Sequence, residues 1–174
     1  MRMHRYPLLV LVLILSFQCL GQRNHAEIPI AYRIVAAHQN VPAPVLYAIA
    51  LAESGKSDHD GLKPWPWSLN VDGDSVYCRT RQQCVMRAHN AIQRQQSVDV
   101  GLMQINWYWH QHRFVNLAMA WDPMTNLQVG AVILREQYEK TEDWWQAVGH
   151  YHSPSNAQRA ARYRARVRQH WLRL

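Results

Sequence analysis

The sequence is organised around residues 48–55, Ala48-Ile49-Ala50-Leu51-Ala52-Glu53-Ser54-Gly55. The first five of these residues are small or apolar, which is typical of a buried helix. The stretch then places a carboxylate, a hydroxyl and a glycine at the point where the helix ends. A Glu on an apolar helix is expected to have a raised pKa, which suits a proton donor. The alternative is a solvated Glu53 in a Ser-Gly turn at the helix terminus.

The N-terminus has the layout of a secretory signal peptide, which we predict to span residues 1–21. Two arginines precede an almost unbroken apolar run from Leu8 to Phe17, and small residues suit cleavage after Gly21. The apolar run is about half of the roughly 20 residues that a spanning helix needs, so a retained anchor is the weaker alternative. We therefore expect secretion across the inner membrane into the periplasm, and one domain over residues 22–174.

The charge of the chain favours anionic partners. The 174 residues include 19 Lys and Arg against 12 Asp and Glu, which gives a net charge of +7. Nucleic acid, lipid headgroups and an acidic wall polymer all fit that charge. Because an exported protein rarely meets nucleic acid, we expect no nucleic-acid partner. The Arg-rich tail from Arg159 is expected to be a solvated helix face, with peripheral contact to an anionic membrane or an acidic wall as the alternative.

Export leaves Cys78 and Cys84 in an oxidising compartment, and one local disulfide is the expected outcome. A metal pair is the alternative, but no second ligand pair lies at zinc-like spacing. Two His-x-His pairs also lack an acidic partner, and their spacing would point the two rings of each pair to different sides of a helix. They are His110 with His112 and His150 with His152. We expect no metal and no cofactor.

The local patterns predict an α+β domain that is mostly α-helical, with one small β-rich excursion. Apolar periodicity and capping signals predict helices at Glu27–Gln39, Pro44–Glu53, Thr80–Arg94, Asp122–Lys140, Thr141–Tyr151 and Arg159–Arg173. The Asp-Gly pair at Asp72-Gly73 predicts a small hairpin. Residues 54–61 and 95–99 are predicted to be loops, with Asp99 as a loop cap.

Three separated segments carry polar side chains against apolar backgrounds, and folding could bring them to one cleft. They are Glu53 with Ser54, Gln104 with Asn106, and Tyr151. Glu53 would be the acid and the hydroxyls of Ser54 and Tyr151 its orienting partners, while the two amides would hydrogen-bond a polar substrate. The sequence contains no Ser/His/Asp order, phosphate-binding loop or dinucleotide glycine pattern.

Several aromatic residues could form a wall that stacks on sugar rings. Trp65 and Trp67 alternate with prolines in a segment that cannot be helical, and Trp107 and Trp109 follow the Gln104 segment. The alternative for each indole is that it fills the core. Asn70 is expected to be either a cleft residue or a turn residue.

Taken together, these segments resemble the catalytic domain of the soluble lytic transglycosylases, which has a lysozyme-like fold. The matching residues are Glu53-Ser54-Gly55, Gly101-Leu102-Met103-Gln104-Ile105-Asn106, Asn126 with Gly130, and Ala147 to Tyr151. All four motifs agree in order and spacing, and the resemblance covers roughly Ala31 to Ser153. Residues 64–70, Pro64-Trp65-Pro66-Trp67-Ser68-Leu69-Asn70, resemble the branch associated with conjugation and type IV secretion elements.

One motif departs from the family pattern. The family usually has Tyr-Asn-x-Gly at the last motif, whereas this chain has Tyr151-His152-Ser153-Pro154. The resemblance therefore does not support the hydrogen bonds that this Asn makes in the family. It still supports a role for the hydroxyl of Tyr151.

The resemblance implies cleavage of the β-1,4 bond between N-acetylmuramic acid and N-acetylglucosamine in peptidoglycan, without water as the nucleophile. Glu53 would protonate the leaving oxygen and then, as a carboxylate, deprotonate the muramyl 6-hydroxyl, which closes a 1,6-anhydro ring. Ordinary glycosidases use two carboxylates, but an intramolecular attack needs only one residue that serves as acid and then as base.

The expected partners are therefore peptidoglycan glycan strands and a conjugation or type IV secretion complex. Two other functions are compatible with the sequence. One is a lysozyme-type muramidase, a hydrolase on the same fold. The other is a non-catalytic wall-binding or scaffold protein.

Overall fold

A computed structural model describes residues 27–174, which form seven α-helices and two small antiparallel sheets. The predicted signal peptide lies outside the described residues. The helices are α1 Ile30–His38, α2 Ala43–Ser54, α3 Arg81–Gln93, α4 Trp107–His110, α5 Pro123–Thr141, α6 Trp144–His152 and α7 Ala157–Trp171. Two short 3-10 helices span Gln111–Arg113 and Leu117–Trp121. The strands are β1 Gly55–Asp58, β2 Gly61–Pro64, β3 Ser68–Val71, β4 Asp74–Tyr77, β5 Val98–Val100 and β6 Ile105–Asn106. This is the predicted α+β class, mostly helical and lysozyme-like.

Helix α2 is the centre of the core. Every residue from Val45 to Leu51 is buried, so this helix is apolar on all sides and is surrounded by other elements. Helices α1 and α7 pack against it, and α5, α6 and α7 pack on one another in succession. The chain leaves the core at the C-terminal end of α2, and Glu53 lies in its last turn.

The four-stranded sheet has the order β4-β3-β5-β6, and all of its pairs are antiparallel. The predicted hairpin is confirmed, since Asp72 and Gly73 connect β3 to β4 with positive φ angles of 50° and 99°. Across the sheet, Asn70 pairs with Asp99, and Asp99 pairs with Asn106. Directly paired residues project from the same face of a sheet, so three polar side chains stand in one row.

The two predictions of loops, at residues 54–61 and 95–99, are both wrong in part. Residues 54–61 contain β1 and the start of β2, a separate two-stranded hairpin, and Asp99 lies in the middle of β5 rather than capping a loop. These strands are short, and β1 and β2 are largely exposed, so they have no apolar alternation to reveal them. The start of α6 also differs from the helix start predicted at Thr141, because Asp143 is the N-cap and accepts the hydrogen bond from Gln146 N.

The expected disulfide is present between Cys78 and Cys84. It joins the end of β4 to the first turn of α3, where Thr80 accepts a hydrogen bond from Gln83 N, as the capping spacing predicts. Within residues 27–174 no single helix has the length and apolar character to cross a membrane. The consecutive pair α1 and α2, bent by 119°, meets that test when combined.

Candidate active site

Glu53 lines a cleft of about 1160 Å³. Burial raises the pKa of its carboxyl from 4.5 to about 7, and the charge of Asp99 adds to the rise. A hydrogen bond from Tyr163 and the charge of Arg166 lower the pKa, but burial has the larger effect. Near neutral pH, a carboxyl group with this pKa can donate a proton and, once ionised, accept one.

Ser54 connects two of the predicted motifs. Its side chain is buried, and its hydroxyl donates to the carbonyl of Leu102 at 2.7 Å, with the carbonyl of Ala50 at 3.1 Å. The sequence predicted that this hydroxyl orients Glu53. The structure places it against the backbone of the Gly-Leu-Met-Gln segment, so it fixes the end of α2 relative to that segment.

The Gly-Leu-Met-Gln segment is held by one buried amide. Asn126 in α5 accepts a hydrogen bond from Met103 N and donates to the carbonyls of Val100 and Ala120, each at 2.9 Å. Gly101 has a φ of +77°, and a Cβ there would lie 2.4 Å from the Asn126 amide nitrogen. Glycine is therefore required by both the backbone angle and the close approach.

Two more predicted residues act on the same segment. Tyr151 in α6 lines the cleft, and its hydroxyl donates to the carbonyl of Met103 at 2.8 Å. Burial raises the pKa of this phenol well above its ordinary value, so it stays a donor at neutral pH. Gly130 faces the Met103 side chain, because a Cβ there would lie 2.6 Å from Met103 Cγ. Gln104 then lines the cleft with a positive φ of 43°, and its amide donates to the carbonyl of Gly101.

The polar row of the sheet forms another part of the cleft lining. Asn106 donates to the carboxylate of Asp99 at 2.8 Å, while burial raises the pKa of Asp99. Asn70 lines the cleft and also holds the turn, because its side-chain oxygen accepts from Gly73 N at 2.9 Å. The structure thus places Asn70 both in the cleft lining and at the turn, the two locations predicted for it. It also brings two further carboxylates, Asp72 and Asp99, into the cleft lining.

Tyr163, which the sequence reasoning missed, forms a direct hydrogen bond with Glu53. Its phenol donates to Glu53 Oε1 at 2.5 Å from the buried face of α7. The ring of His152 stacks on the Tyr163 ring at 4.5 Å, and the Arg166 guanidinium lies 5.1 Å from its centroid. The buried residues Ala160, Tyr163 and Val167 recur at helical spacing, a signal that the surrounding arginines obscured.

The indoles divide into structural and cleft residues. Within residues 27–174, the cleft lining includes Trp109 but neither Trp65 nor Trp67. Trp65 donates to the carbonyl of Cys78 at 3.0 Å and packs edge-to-face on Trp67 at 5.8 Å. Trp107 stacks on Phe114, whereas Trp109 is 69% exposed at the rim. Of the four indoles predicted to stack on sugar rings, the structure places Trp109 in the cleft lining.

The histidine pairs lie near the cleft, which His110, His150 and His152 help to line. In the described part of the chain, the group of ligand atoms close enough to share a metal ion lies elsewhere, at Asp58, His59 and Asp60. That group is exposed at the turn between β1 and β2, and Asp60 pairs there with Lys63 at 3.2 Å.

Comparison with known families agrees with this arrangement. The model of the transglycosylase SLT domain matches residues 85–172, which is just over half of the chain. The match includes the Gly-Leu-Met-Gln segment, Asn126, Tyr151 and Tyr163, whereas Glu53 precedes it. No curated protein and no solved structure was found to match the chain. The chain therefore belongs to the transglycosylase SLT domain family, whose members act on peptidoglycan.

Proposed function

We propose that this protein is a peptidoglycan lytic transglycosylase in which Glu53 is both the acid and the base. The observation that carries the proposal is a carboxyl group with a pKa of about 7 in a large open cleft, hydrogen-bonded by Tyr163 at 2.5 Å. A catalytic group is most effective when its pKa lies near the working pH.

The reaction needs no external nucleophile. Protonated Glu53 gives its proton to the oxygen that links muramic acid C1 to the leaving N-acetylglucosamine, and the C1–O bond breaks. The Glu53 carboxylate then takes the proton of the muramyl 6-hydroxyl, whose oxygen bonds to C1. The product is a 1,6-anhydro-muramyl end, the proton returns to Glu53, and no water is consumed.

The position of Asp99 favours a second candidate, a lysozyme-type muramidase. Asp99 lines the same cleft, and its charge raises the pKa of Glu53, so the two carboxyl groups are electrostatically coupled. Hydrolases that cleave glycosidic bonds use two carboxylates, one as acid and one to activate water or to bond to the sugar. In a hydrolase, Asp99 would take that second role.

Mass spectrometry of digested peptidoglycan separates these candidates. In water enriched with ¹⁸O, a transglycosylase releases anhydro-muropeptides that lack the mass of one water and carry no label. A hydrolase releases reducing ends that contain ¹⁸O. The variant Asp99→Asn adds a second test, because it should keep the anhydro product of a transglycosylase but lower the rate of a hydrolase by about 10² or more. Intact sacculi with retained binding would instead indicate a wall-binding or scaffold protein.

We also propose that the chain is exported to the periplasm and opens the wall for a conjugation or type IV secretion apparatus. The supporting features are the signal-peptide layout of residues 1–21 and the resemblance of residues 64–70 to that branch of the family. N-terminal sequencing of the periplasmic protein should show that it begins at Gln22. Transfer of a conjugative element should fall when the chromosomal or plasmid copy carries Glu53→Gln.

A further inference from the structure

A second pocket of about 410 Å³ adjoins the catalytic cleft, and we call it the arginine pocket. Its lining residues are His152, Arg159, Arg162, Tyr163 and Arg166. His152 and Arg166 also line the cleft, so the two spaces share a boundary. A ligand held in the cleft could therefore extend a branch into the arginine pocket.

The arginine pocket is strongly positive. Arg159, Arg162 and Arg166 are three and four residues apart on α7, which places their side chains on one helix face. Within residues 27–174, none of these three guanidinium groups forms an ion pair with a carboxylate. By contrast, Arg113 and Arg135 pair with Glu136 and Glu139.

The charges in this pocket act on their surroundings. The pKa of His152 is lowered by burial and then by the charges of Arg166 and Arg159. Like charges at these spacings repel one another and destabilise a helix slightly, so helix stability does not explain their arrangement. An anion in the pocket would remove that repulsion.

We propose, on the basis of the function proposed above, that the arginine pocket binds a carboxylate of the peptidoglycan stem peptide. The peptide is attached to the muramic acid that also provides the scissile bond, so it leaves the glycan beside the cleft. A guanidinium matches a carboxylate through two parallel hydrogen bonds. The pocket is open to solvent, since all three arginines are exposed, and its volume of about 410 Å³ leaves room for a carboxylate group. The pocket thus makes the enzyme selective for glycan that carries peptides.

The test compares two charge-matched double variants. Arg159→Gln with Arg162→Gln removes two guanidinium groups from the pocket and leaves Arg166, which also lines the cleft. Arg164→Gln with Arg168→Gln removes the same charge from the opposite face of α7, at 100° per residue. Thermal melts of both variants establish that each is folded.

Binding is measured by co-sedimentation with sacculi at about 0.15 M salt, in a Glu53→Gln background that does not digest them. One sample of sacculi is native, and in the other carbodiimide coupling has converted the stem carboxyl groups to neutral amides. We expect the Arg159/Arg162 variant to bind native sacculi roughly tenfold more weakly than the Arg164/Arg168 variant, and both to bind amidated sacculi equally. Equal binding of the two variants to native sacculi would overturn the proposal.

Two further outcomes are also decisive. If the Arg159/Arg162 variant differs from its control on vesicles with anionic lipid but not on sacculi, the pocket binds a lipid headgroup and the proposal is wrong. Because co-sedimentation does not depend on turnover, an inactive wild-type protein would refute the proposed reaction and leave the binding result intact. An active enzyme with no preference for native sacculi would refute the proposed binding of a stem-peptide carboxylate in the arginine pocket, but not the proposed reaction.

Discussion

The phenol of Tyr163 donates a 2.5 Å hydrogen bond to Glu53 Oε1, and this contact joins the last helix of the chain to the end of α2. Burial and the charge of Glu53 raise the pKa of Tyr163 well above its ordinary value, so the phenol stays protonated. The bond favours the carboxylate form of Glu53, while burial favours the carboxyl form. The pKa of about 7 is the balance of these two effects with the charges of Arg166, which lowers it, and Asp99, which raises it.

Tyr163→Phe should shift that balance toward the protonated form. The variant loses the hydrogen bond that lowers the pKa of Glu53, so the pKa should rise above about 7. Because the proposed reaction begins with protonated Glu53, activity falls as the pH rises through this pKa, and the alkaline limb of the kcat/KM profile should move to higher pH. Measurement of initial rates from about pH 5 to about 9 would show the shift.

The control for this variant is Tyr138→Phe. Tyr138 stacks on Trp144 at 4.0 Å between ring centroids, away from the cleft lining. The Tyr138→Phe variant should leave the alkaline limb of the kcat/KM profile unchanged. An alkaline limb that stays in place in Tyr163→Phe would show that the hydrogen bond does not set the working pKa.

Glu53→Gln should abolish turnover. The amide keeps the shape of the side chain but cannot donate or accept the proton, and positioned acid–base catalysis contributes about 10² to 10⁴ in rate. Release of soluble fragments from sacculi measures the loss, and far-ultraviolet circular dichroism confirms the fold. Cleavage at a rate near that of the wild type would remove Glu53 from the mechanism.

The same substitution should stabilise the protein at alkaline pH. The pKa of Glu53 is raised in the folded state, from 4.5 to about 7. The folded state therefore binds the proton more tightly, so this contribution to stability is fully present below pH 4.5 and is lost as the pH rises through 7. The penalty at about pH 8 is up to about 3 kcal/mol, and the neutral amide of the variant would not carry it. Urea unfolding should show Glu53→Gln to be more stable than the wild type at about pH 8, with a smaller difference at about pH 5. A difference that does not change with pH would contradict the raised pKa.

Asn126→Leu should destabilise the fold strongly. The substitution removes three hydrogen bonds at a fully buried position and leaves the N–H of Met103 and the carbonyls of Val100 and Ala120 without this partner. Each unsatisfied buried group costs about 1 to 3 kcal/mol, so we expect a loss of about 3 to 5 kcal/mol in the free energy of unfolding. Urea denaturation followed by tryptophan fluorescence provides the measurement.

Asn116→Ala is the matched control. Asn116 also accepts a hydrogen bond from a backbone N–H, that of Met119 at 3.0 Å, but at an exposed helix start. Water can replace this bond, so the loss should be about 1 kcal/mol. Similar losses for the two variants would mean that the three bonds of Asn126 do not hold the Gly-Leu-Met-Gln segment.

Local sequence signals predicted most of the helical frame. The helix starts at Thr80 and Asp122 were visible because a capping side chain bonds a backbone N–H only three residues away. The turn at Asp72 and Gly73 was visible for a similar reason, since few residues accept two positive φ angles in succession. The hairpin of β1 and β2 was not visible in the sequence, because its residues are largely exposed and carry no alternating pattern.

The sequence alone determined the position of Glu53 at the end of an apolar helix, the disulfide between Cys78 and Cys84, and the family resemblance, because each depends on residues that are close in the chain or on motif order. Tertiary structure decided what surrounds the carboxyl group. In the folded chain, Asp99 lines the cleft, whereas Trp65 and Trp67 do not. Tyr163 forms a hydrogen bond with Glu53 although the two residues are 110 positions apart in the sequence. The pKa of a carboxyl group depends on burial and on neighbours within a few ångströms, and the packing of α7 on α2 brings two of these neighbours, Tyr163 and Arg166, to Glu53.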